Sequence, residues 1–393
     1  MVAALHGRVR HATAAREHAA LEVTIARGAQ GLQAIAAEWA EIENQLGRRR
    51  FFHWYAWCHS YLNALEPDPA ALYFFVVRAG SRPLAIVPLK LERQRQSGIA
   101  VHVLTLPPHV HLPLRDVMCV PDAAVGDVVQ SLLRSLREHR LHWDVIRFAD
   151  VMHESPLATL RSDGGWRVLA RRAKTCDYVV CDRPFETIAR TFSRNFRSNL
   201  TKARNKLAQQ SAVEFESVCQ PGPDMQRCFA EFLEVEASGW KGNAGSGTAI
   251  KLHPELLHFY ASLITDLAAV GAVVINCLRV AGTAIAAQFC LLDADTLYVL
   301  KLAYDERHTR LAPGNMLLER VIDSGCASGR FRHVNLVGDP PWFKDWRPLE
   351  VPVYTIELYN ATLAALALLA GKRTKQWLRS MRDRYRLRAA HRA

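Results

Sequence analysis

Two stretches of this 393-residue chain share one pattern, in which two apolar runs are joined by a short turn containing Ala-Gly. The first stretch pairs Leu72–Arg78 with Leu84–Leu91, and the second pairs Ala272–Val280 with Thr283–Leu292. Runs rich in β-branched and aromatic residues on both sides of such a turn predict a β-hairpin. A hairpin that recurs about 200 residues later indicates a duplicated domain. Chance similarity between two apolar hairpins is the alternative.

The second hairpin continues into a strand, a loop and a helix. Thr296–Tyr304 is β-rich, and Met316 begins a helical repeat just after Pro313 and Gly314. Proline suits a first helical turn, and free N–H groups at a helix N-terminus bind phosphate. The segment therefore suits the pyrophosphate of coenzyme A, with an ordinary strand-to-helix turn as the alternative. The first copy continues instead into an extended loop, Leu106–Pro113, which we expect to shape an acceptor site.

Composition indicates a globular cytoplasmic protein. Half of the residues are hydrophobic, and the nine cysteines are scattered without a metal-binding pattern. The first 20 residues lack the apolar core of a signal peptide. The sequence contains neither a Gly-x-Ser-x-Gly motif nor a Walker-type motif, so nothing supports a serine hydrolase or a nucleoside triphosphatase.

The formal charge of +12 is concentrated in two segments. Residues 371–393 hold nine Lys/Arg and one acid, and Phe185–Gln209, predicted as one unbroken helix, has a basic face. Because the rest of the chain is nearly balanced, we expect no DNA binding. The predicted organisation is a disordered leader (1–20), two domains (21–170 and 171–360) and a basic amphipathic tail (361–393).

The second half resembles the Fem-type branch of the GNAT acyltransferases, in particular the CelD-like proteins of bacterial polysaccharide loci. The matching pieces are Phe192–Leu200, Glu236–Gly242, Gly247–Ala249, Gly282, Ala286–Gln288, Lys301–Asp305, Pro313-Gly314, Gly338-Asp339, Phe343-Lys344 and Trp346. Their order and spacing over Phe185–Trp346 are more specific than any single piece. The hairpin from Pro83 to Leu89 also resembles the first half of that family.

The resemblance implies an α+β (α/β) fold of two tandem GNAT-like domains, each a mixed, mostly antiparallel sheet flanked by helices. It also implies an acyl-coenzyme A donor, with acetyl-coenzyme A first, as a co-substrate and no permanently bound cofactor. Fem proteins proper use aminoacyl-tRNA, so the donor does not follow from the fold. The loop before the predicted helix at Met316 departs from the usual GNAT pattern, because it contains Arg307 and Arg310 but only one glycine, Gly314.

Acyl transfer to an amine needs a neutral amine, a stabilised oxyanion and a proton for the leaving thiolate. Glu236 is the predicted general base, Tyr304 the proton donor, and Asp305 either orients the acceptor or caps the loop. The glycine-rich segment after Trp240 is flexible enough for a lid.

Two further groups of residues complete the predicted site. The cofactor-binding group is Gln288, Lys301, Arg310, Pro313, Gly314, Asn315 and Met316. The acceptor-binding group is Trp240, Lys241, Asp339, Lys344 and Trp346. His109 and His111 lack a third ligand, so no metal is expected.

The sequence therefore predicts an N-acyltransferase acting on an amino sugar or a related exopolysaccharide or envelope precursor. The alternatives are aminoacyl transfer from charged tRNA and a catalytically dead binding or effector protein. For the basic tail, an anionic membrane surface at the inner face ranks first, no partner second and cyclic di-GMP third. The acceptor, the acyl length and the oligomeric state are open.

Overall fold

The computed structural model describes residues 21–47, 49–162 and 166–390, without the side chains of residues 379, 380 and 383–390. The predicted disordered leader, residues 1–20, lies outside the described residues.

The first half alternates short helices with the strands of one sheet. Its elements are β1 (Glu22–Arg27), α1 (Gly28–Ala34), α2 (Ala36–Gln45), α3 (Tyr55–Ala64), β2 (Leu72–Ala79), β3 (Arg82–Gln96), β4 (Ile99–Thr105), β5 (Met118–Cys119), α4 (Val125–Glu138) and β6 (Val145–Met152).

The second half repeats this order with longer helices. Its elements are β7 (Arg167–Val180), α5 (Phe185–Ala189), α6 (Arg194–Ala208), β8 (Val213–Val218), α7 (Pro223–Ser238), α8 (Pro254–Leu267), β9 (Val273–Val280), β10 (Thr283–Asp293), β11 (Thr296–Tyr304), α9 (Pro313–Ser328), β12 (His333–Asn335), β13 (Leu349–Tyr359) and α10 (Leu363–Ala390).

The two halves have the same strand arrangement, which confirms the predicted tandem, mostly antiparallel fold. In the first half, β1 to β4 are antiparallel neighbours and β6 lies parallel to β4. In the second half, β8 to β11 are antiparallel neighbours and β12 lies parallel to β11. Together they form one 13-stranded sheet.

Each half gives a strand to the other at the centre of this sheet. β7 follows the first half along the chain but pairs with β12, whereas β13 ends the second half and pairs with β6. The two exchanged strands pair with each other along the whole of β13. The predicted boundary after residue 170 therefore falls inside β7. The strand predicted at Tyr354–Tyr359 is the end of β13, which lies against the first half.

A lysine bridges the two exchanged strands. Asp177 of β7 lies opposite Glu350 of β13, and like charges facing each other across strands are destabilising. Lys344 Nζ donates to Asp177 Oδ2 at 2.6 Å and to Glu350 Oε1 at 2.7 Å. Because Asp177 is fully buried, this contact neutralises a carboxylate that water cannot reach.

The sheet separates two apolar layers. On one face, a single cluster runs across both halves and packs α2 and α3 together with α7 and α8. The other face carries separate clusters, one around α6 and α9 and one around α4. The cleft between the halves is therefore walled by the shared layer.

Two helices differ from their predictions. The unbroken helix predicted over Phe185–Gln209 is interrupted, because Ser193 accepts the Phe196 N–H at 3.1 Å and begins α6. The apolar start of the tail does not face solvent as one surface, since Ala365, Leu368 and Leu369 of α10 pack against β4, β6 and β13. Within the described residues, no helix combines the length and apolarity that crossing a membrane requires.

The bridging lysine yields a stability prediction. Replacing Lys344 with Met leaves the Asp177 carboxylate buried without its cation, so we expect the free energy of unfolding to fall by about 2–3 kcal/mol. Arg172→Met is the matched control, because Arg172 pairs with the same Glu350 at 3.8 Å and both side chains are more than half exposed. It should cost at most about 1 kcal/mol. Urea unfolding measures the free energy of unfolding of both variants. Equal decreases in the two variants would contradict the assigned role of Lys344.

Candidate functional site

The central feature is a wedge between two parallel strands. β11 pairs with β12 only from Thr296 to Tyr298 and then continues to Tyr304, while the chain after β12 turns away at Val337. A cavity of 580 Å³ occupies the wedge. The cavity is lined by β11, by the end of α7 with the turn after it, by the segment that leads into α9, and by the segment after β12. The lining residues of these four parts are, in that order, Val299–Leu300 and Leu302–Tyr304; Glu236 and Gly239–Lys241; Glu306, Thr309 and Ala312–Asn315; and Leu336, Pro340 and Trp342.

The cavity connects the two faces of the sheet. Leu300 and Ala303 belong to the apolar layer around α7 and α8, whereas Val299 and Leu302 pack on the side of α9. A β-bulge interrupts the pairing of β11 with β10 at this point. Phe289 of β10 pairs with Lys301, and the next residue, Cys290, already pairs with Val299. The cavity is therefore lined by side chains from both faces of the sheet.

The N-terminus of α9 forms one end of the cavity. Pro313 is its first residue, and Ala312 before it has a left-handed conformation (φ 49°) and gives no side-chain cap. The N–H groups of the first turn thus remain available for an anion. A Cβ on Gly314 would lie 3.3 Å from Tyr304 Cδ1, so a larger residue there would intrude on the cavity wall.

Tyr304 is at the mouth of the cavity. It ends β11, lines the cavity and is 38 % exposed. Its hydroxyl makes no hydrogen bond within the described part of the chain, so it can reach a ligand. This position is compatible with the predicted proton donor.

Glu236 is buried in the cavity wall, and both of its oxygens already have partners. Oε1 accepts from Lys241 Nζ and Oε2 accepts from the Ile250 N–H, each at 2.9 Å. The carboxylate therefore holds the segment after α7 in place. Either oxygen can accept a further hydrogen bond only beside the partner that it already has.

Lys301 in the bulge is a second titratable group beside the cavity. Burial and the nearby charge of Lys241 lower the pKa of Lys301 to about 8, while Glu236 acts in the opposite direction. No hydrogen bond or ion pair joins its amine to the described residues. Lys301 was predicted to bind the cofactor. Neither the bulge nor the burial of Lys301 has a local sequence signal, so the sequence could not reveal the environment of this amine.

The first half reaches this region through the loop after β4. His111 Nδ1 lies 2.9 Å from the Tyr260 hydroxyl of α8. Burial, followed by the charge of Lys301, lowers the pKa of His111 to about 3, and burial with Arg115 and Lys301 lowers that of His109. Both imidazoles are therefore neutral at pH 7. The loop of the first half therefore lies near Lys301, and its predicted role in shaping an acceptor site stays a prediction.

The segment from Trp240 to Gly247 is compact. Consecutive turns join Gly242 to Gly239 and Gly245 to Gly242, and the Trp240 N–H donates to Glu306 Oε1 at 3.2 Å. A Cβ on Gly245 would lie 1.8 Å from the Trp240 carbonyl oxygen, so the glycine serves close packing. The Trp240 ring is 62 % exposed and covers the cavity mouth.

Several predicted site residues lie away from the cavity. Gln288 is buried in the sheet beside Asn276, Met316 is a core residue of α9, and Arg310 is exposed outside the lining. Asp305 caps the turn before α9, because its carboxylate accepts the Arg307 N–H at 3.0 Å and the guanidinium at 2.7 Å.

The predicted acceptor group is divided. Trp240 and Lys241 line the cavity, whereas Trp346 is fully buried against Phe192 and Phe196. Lys344 bridges the exchanged strands and Asp339 contacts Thr175. Trp342, which is not among the predicted residues, is the aromatic residue of this turn that reaches the cavity.

Comparisons with known proteins agree with this geometry. Residues 194–345 match the family model of an acetyltransferase (GNAT) domain. Among curated proteins, none matches the chain.

Solved structures share the fold of most of the chain. The C-terminal domain of a putative lysylphosphatidylglycerol synthetase from Agrobacterium fabrum superposes with a TM-score of 0.50 at 12 % identity, covering 87 % of this chain and 96 % of that one. L-PGS from Bacillus licheniformis gives 0.52 at 13 %, with 86 % and 96 % covered. FemX gives 0.50 at 9 %, with 82 % and 95 % covered. The chain thus has a tandem GNAT-like fold, and residues 194–345 of its second half are similar to an acetyltransferase (GNAT) domain.

Proposed function

We propose that the protein transfers an acyl group, acetyl in the first instance, from coenzyme A to an amine-bearing sugar or related envelope polysaccharide precursor. The observation that carries the proposal is the cavity that passes through the sheet beside the uncapped N-terminus of α9. A donor with a negatively charged diphosphate and a narrow thioester arm fits a helix N-terminus followed by an apolar wedge.

The residues around the wedge can assist each proton movement. The acceptor nitrogen attacks the thioester carbonyl, the C–N bond forms and the C–S bond breaks. Tyr304, whose hydroxyl is free, gives its proton to the leaving thiolate. The proton lost from the amine goes to Lys301, which is partly neutral near pH 8, or to Glu236.

The acceptor side of the cavity is rich in basic groups. Lys301 and Lys241 lie here with the neutral imidazoles of His109 and His111, and Glu236 is the acid that partly balances them. This charge favours an acceptor with a phosphate or carboxylate, such as a sugar phosphate or a nucleotide sugar. Such precursors also motivate the placement of the protein at the inner membrane face, where the exposed Trp377, Leu378 and Met381 of α10 would contact lipid.

A groove of basic residues favours a second candidate, aminoacyl transfer from charged tRNA. A cleft of 610 Å³ between α6 and α9 is lined by Arg190, Arg197, Arg204 and Arg320 over apolar residues. Arg204 and Arg320 pair with Glu319 and Asp323, but Arg190 and Arg197 make no ion pair within the described residues. Met316 and Glu319 of α9 line this groove, so it lies next to the donor end of the cavity.

The donor assignment is tested with Gly314→Glu. A carboxylate at this position would meet Tyr304 and Leu302 and repel a diphosphate, so calorimetric titration should show acetyl-coenzyme A binding about 100-fold more weakly, a loss of roughly 2.7 kcal/mol. Ala327→Glu, exposed in the last turn of the same helix, is the matched control and should bind like the wild type. Wild-type protein without saturable binding, or a Gly314→Glu variant with full affinity, refutes the proposal.

The buried amine of Lys301 gives a pH-dependent prediction. Its pKa is about 8 in the folded chain against 10.5 ordinarily, so the unfolded chain holds more protons between these values and wild-type stability rises with pH across that window. Lys301→Met removes this cost and should stabilise the protein by about 1–3 kcal/mol at pH 7, with little gain left at pH 10.5. Urea unfolding at both pH values measures it. Lys251→Met, at a lysine paired with Glu234 on the surface, should show no such pH dependence.

The tRNA candidate predicts binding that weakens steeply with salt. Replacing Arg190 and Arg197 with Gln should lower the slope of log K against log salt by about 1 per residue. Replacing Lys202 and Lys206, which are exposed on α6 but do not line the groove, is the control. Anisotropy titrations with aminoacyl-tRNA at salt concentrations from about 50 to 200 mM measure this slope. No retention at the lowest salt removes this candidate.

A further inference from the structure

Two groups of metal-ligating side chains lie outside the cavity. Cys228, Glu231 and Cys277 form one, and His102, His142 and Asp144 form the other. In the first group, Arg279 already donates to Glu231 at 2.5 Å and approaches Cys228 Sγ at 3.4 Å, so a cation occupies the place that a metal would need. In the second group, no cationic side chain contacts the carboxylate apart from the two histidines, within the described residues.

We infer that His102, His142 and Asp144 form a surface site for a divalent transition-metal ion, with Zn²⁺ the best match. One ligand atom from each residue lies within 4.8 Å of the others, and His102 Nδ1 is 3.6 Å from Asp144 Oδ2. Ligand atoms around tetrahedral Zn²⁺ are roughly 3.3 Å apart, so small side-chain rotations complete the site. The two rings are edge to face with centroids 4.6 Å apart, which lets one nitrogen of each point at a common centre.

The carboxylate is oriented by hydrogen bonds, as in metal sites of proteins. Asp144 Oδ2 accepts from the backbone N–H of His102 at 2.8 Å, and Asp144 Oδ1 accepts from the Thr362 hydroxyl at 2.5 Å. His142 is exposed, so water or an exogenous ligand can fill the open coordination positions. This inference departs from the sequence-based prediction of no metal, which considered His109 and His111 but not these three residues.

A bound ion would join two segments that are distant in sequence. His102 lies on β4, and His142 and Asp144 precede β6. Asp144 also holds the start of α10, because its backbone carbonyl accepts the Asn360 N–H at 3.0 Å and its side chain accepts from Thr362. Metal binding is thereby linked to the docking of the C-terminal helix, and it stabilises the folded chain by an amount that grows with the logarithm of the free Zn²⁺ concentration above Kd.

The test uses the full-length protein without an affinity tag, after treatment with a chelator. Calorimetric titration with ZnCl₂ should show one site per chain, and thermal unfolding should move to higher temperature with Zn²⁺. His142→Ala should weaken this binding at least 10-fold and abolish the thermal shift. The exposed side chain of His142 makes misfolding of this variant an improbable explanation, and circular dichroism checks it.

His258→Ala, at an exposed histidine of α8, is the matched control and should bind Zn²⁺ like the wild type. Wild-type protein that binds no Zn²⁺ overturns the inference. So does equal binding by His142→Ala and the wild type, since the ion would then sit on other groups.

Discussion

The pairing of β7 with β13 is the constraint on which the rest of the molecule depends. Each half lacks its own last strand and receives that of the other, so neither sheet is complete alone. Lys344 closes this junction, because it neutralises the facing carboxylates of Asp177 and Glu350. The same junction fixes the loop of the first half relative to β11, and therefore brings His111 to Tyr260 beside the cavity.

The features that the sequence analysis predicted correctly are local ones. The hairpins at β2–β3 and β9–β10 follow from apolar runs and turn residues, and the strand, loop and helix from Thr296 to Ser328 follow from one continuous segment. The strand exchange joins residues far apart along the chain and has no local pattern, so the pairing of β13 with β6 of the first half was not predicted.

The site was predictable in part for the same reason. Gly314 and Tyr304 lie in the continuous segment, and both line the cavity. Lys344 and Trp346 follow the right strand, but their side chains point to the strand junction and the core. The environment of Lys301 depends on a bulge and on burial by other elements, which only the folded chain reveals.

The strand exchange also affects when the protein can finish folding during synthesis. β6 of the first half gains its neighbour β13 only after residues 349–359 have left the ribosome, long after β6 itself. Until then the first half exposes an unpaired strand edge, which invites association with other nascent chains. For the same reason, the segment 194–345 that matches the acetyltransferase domain is not a self-sufficient unit, since excising it would strip β12 of its neighbour β7.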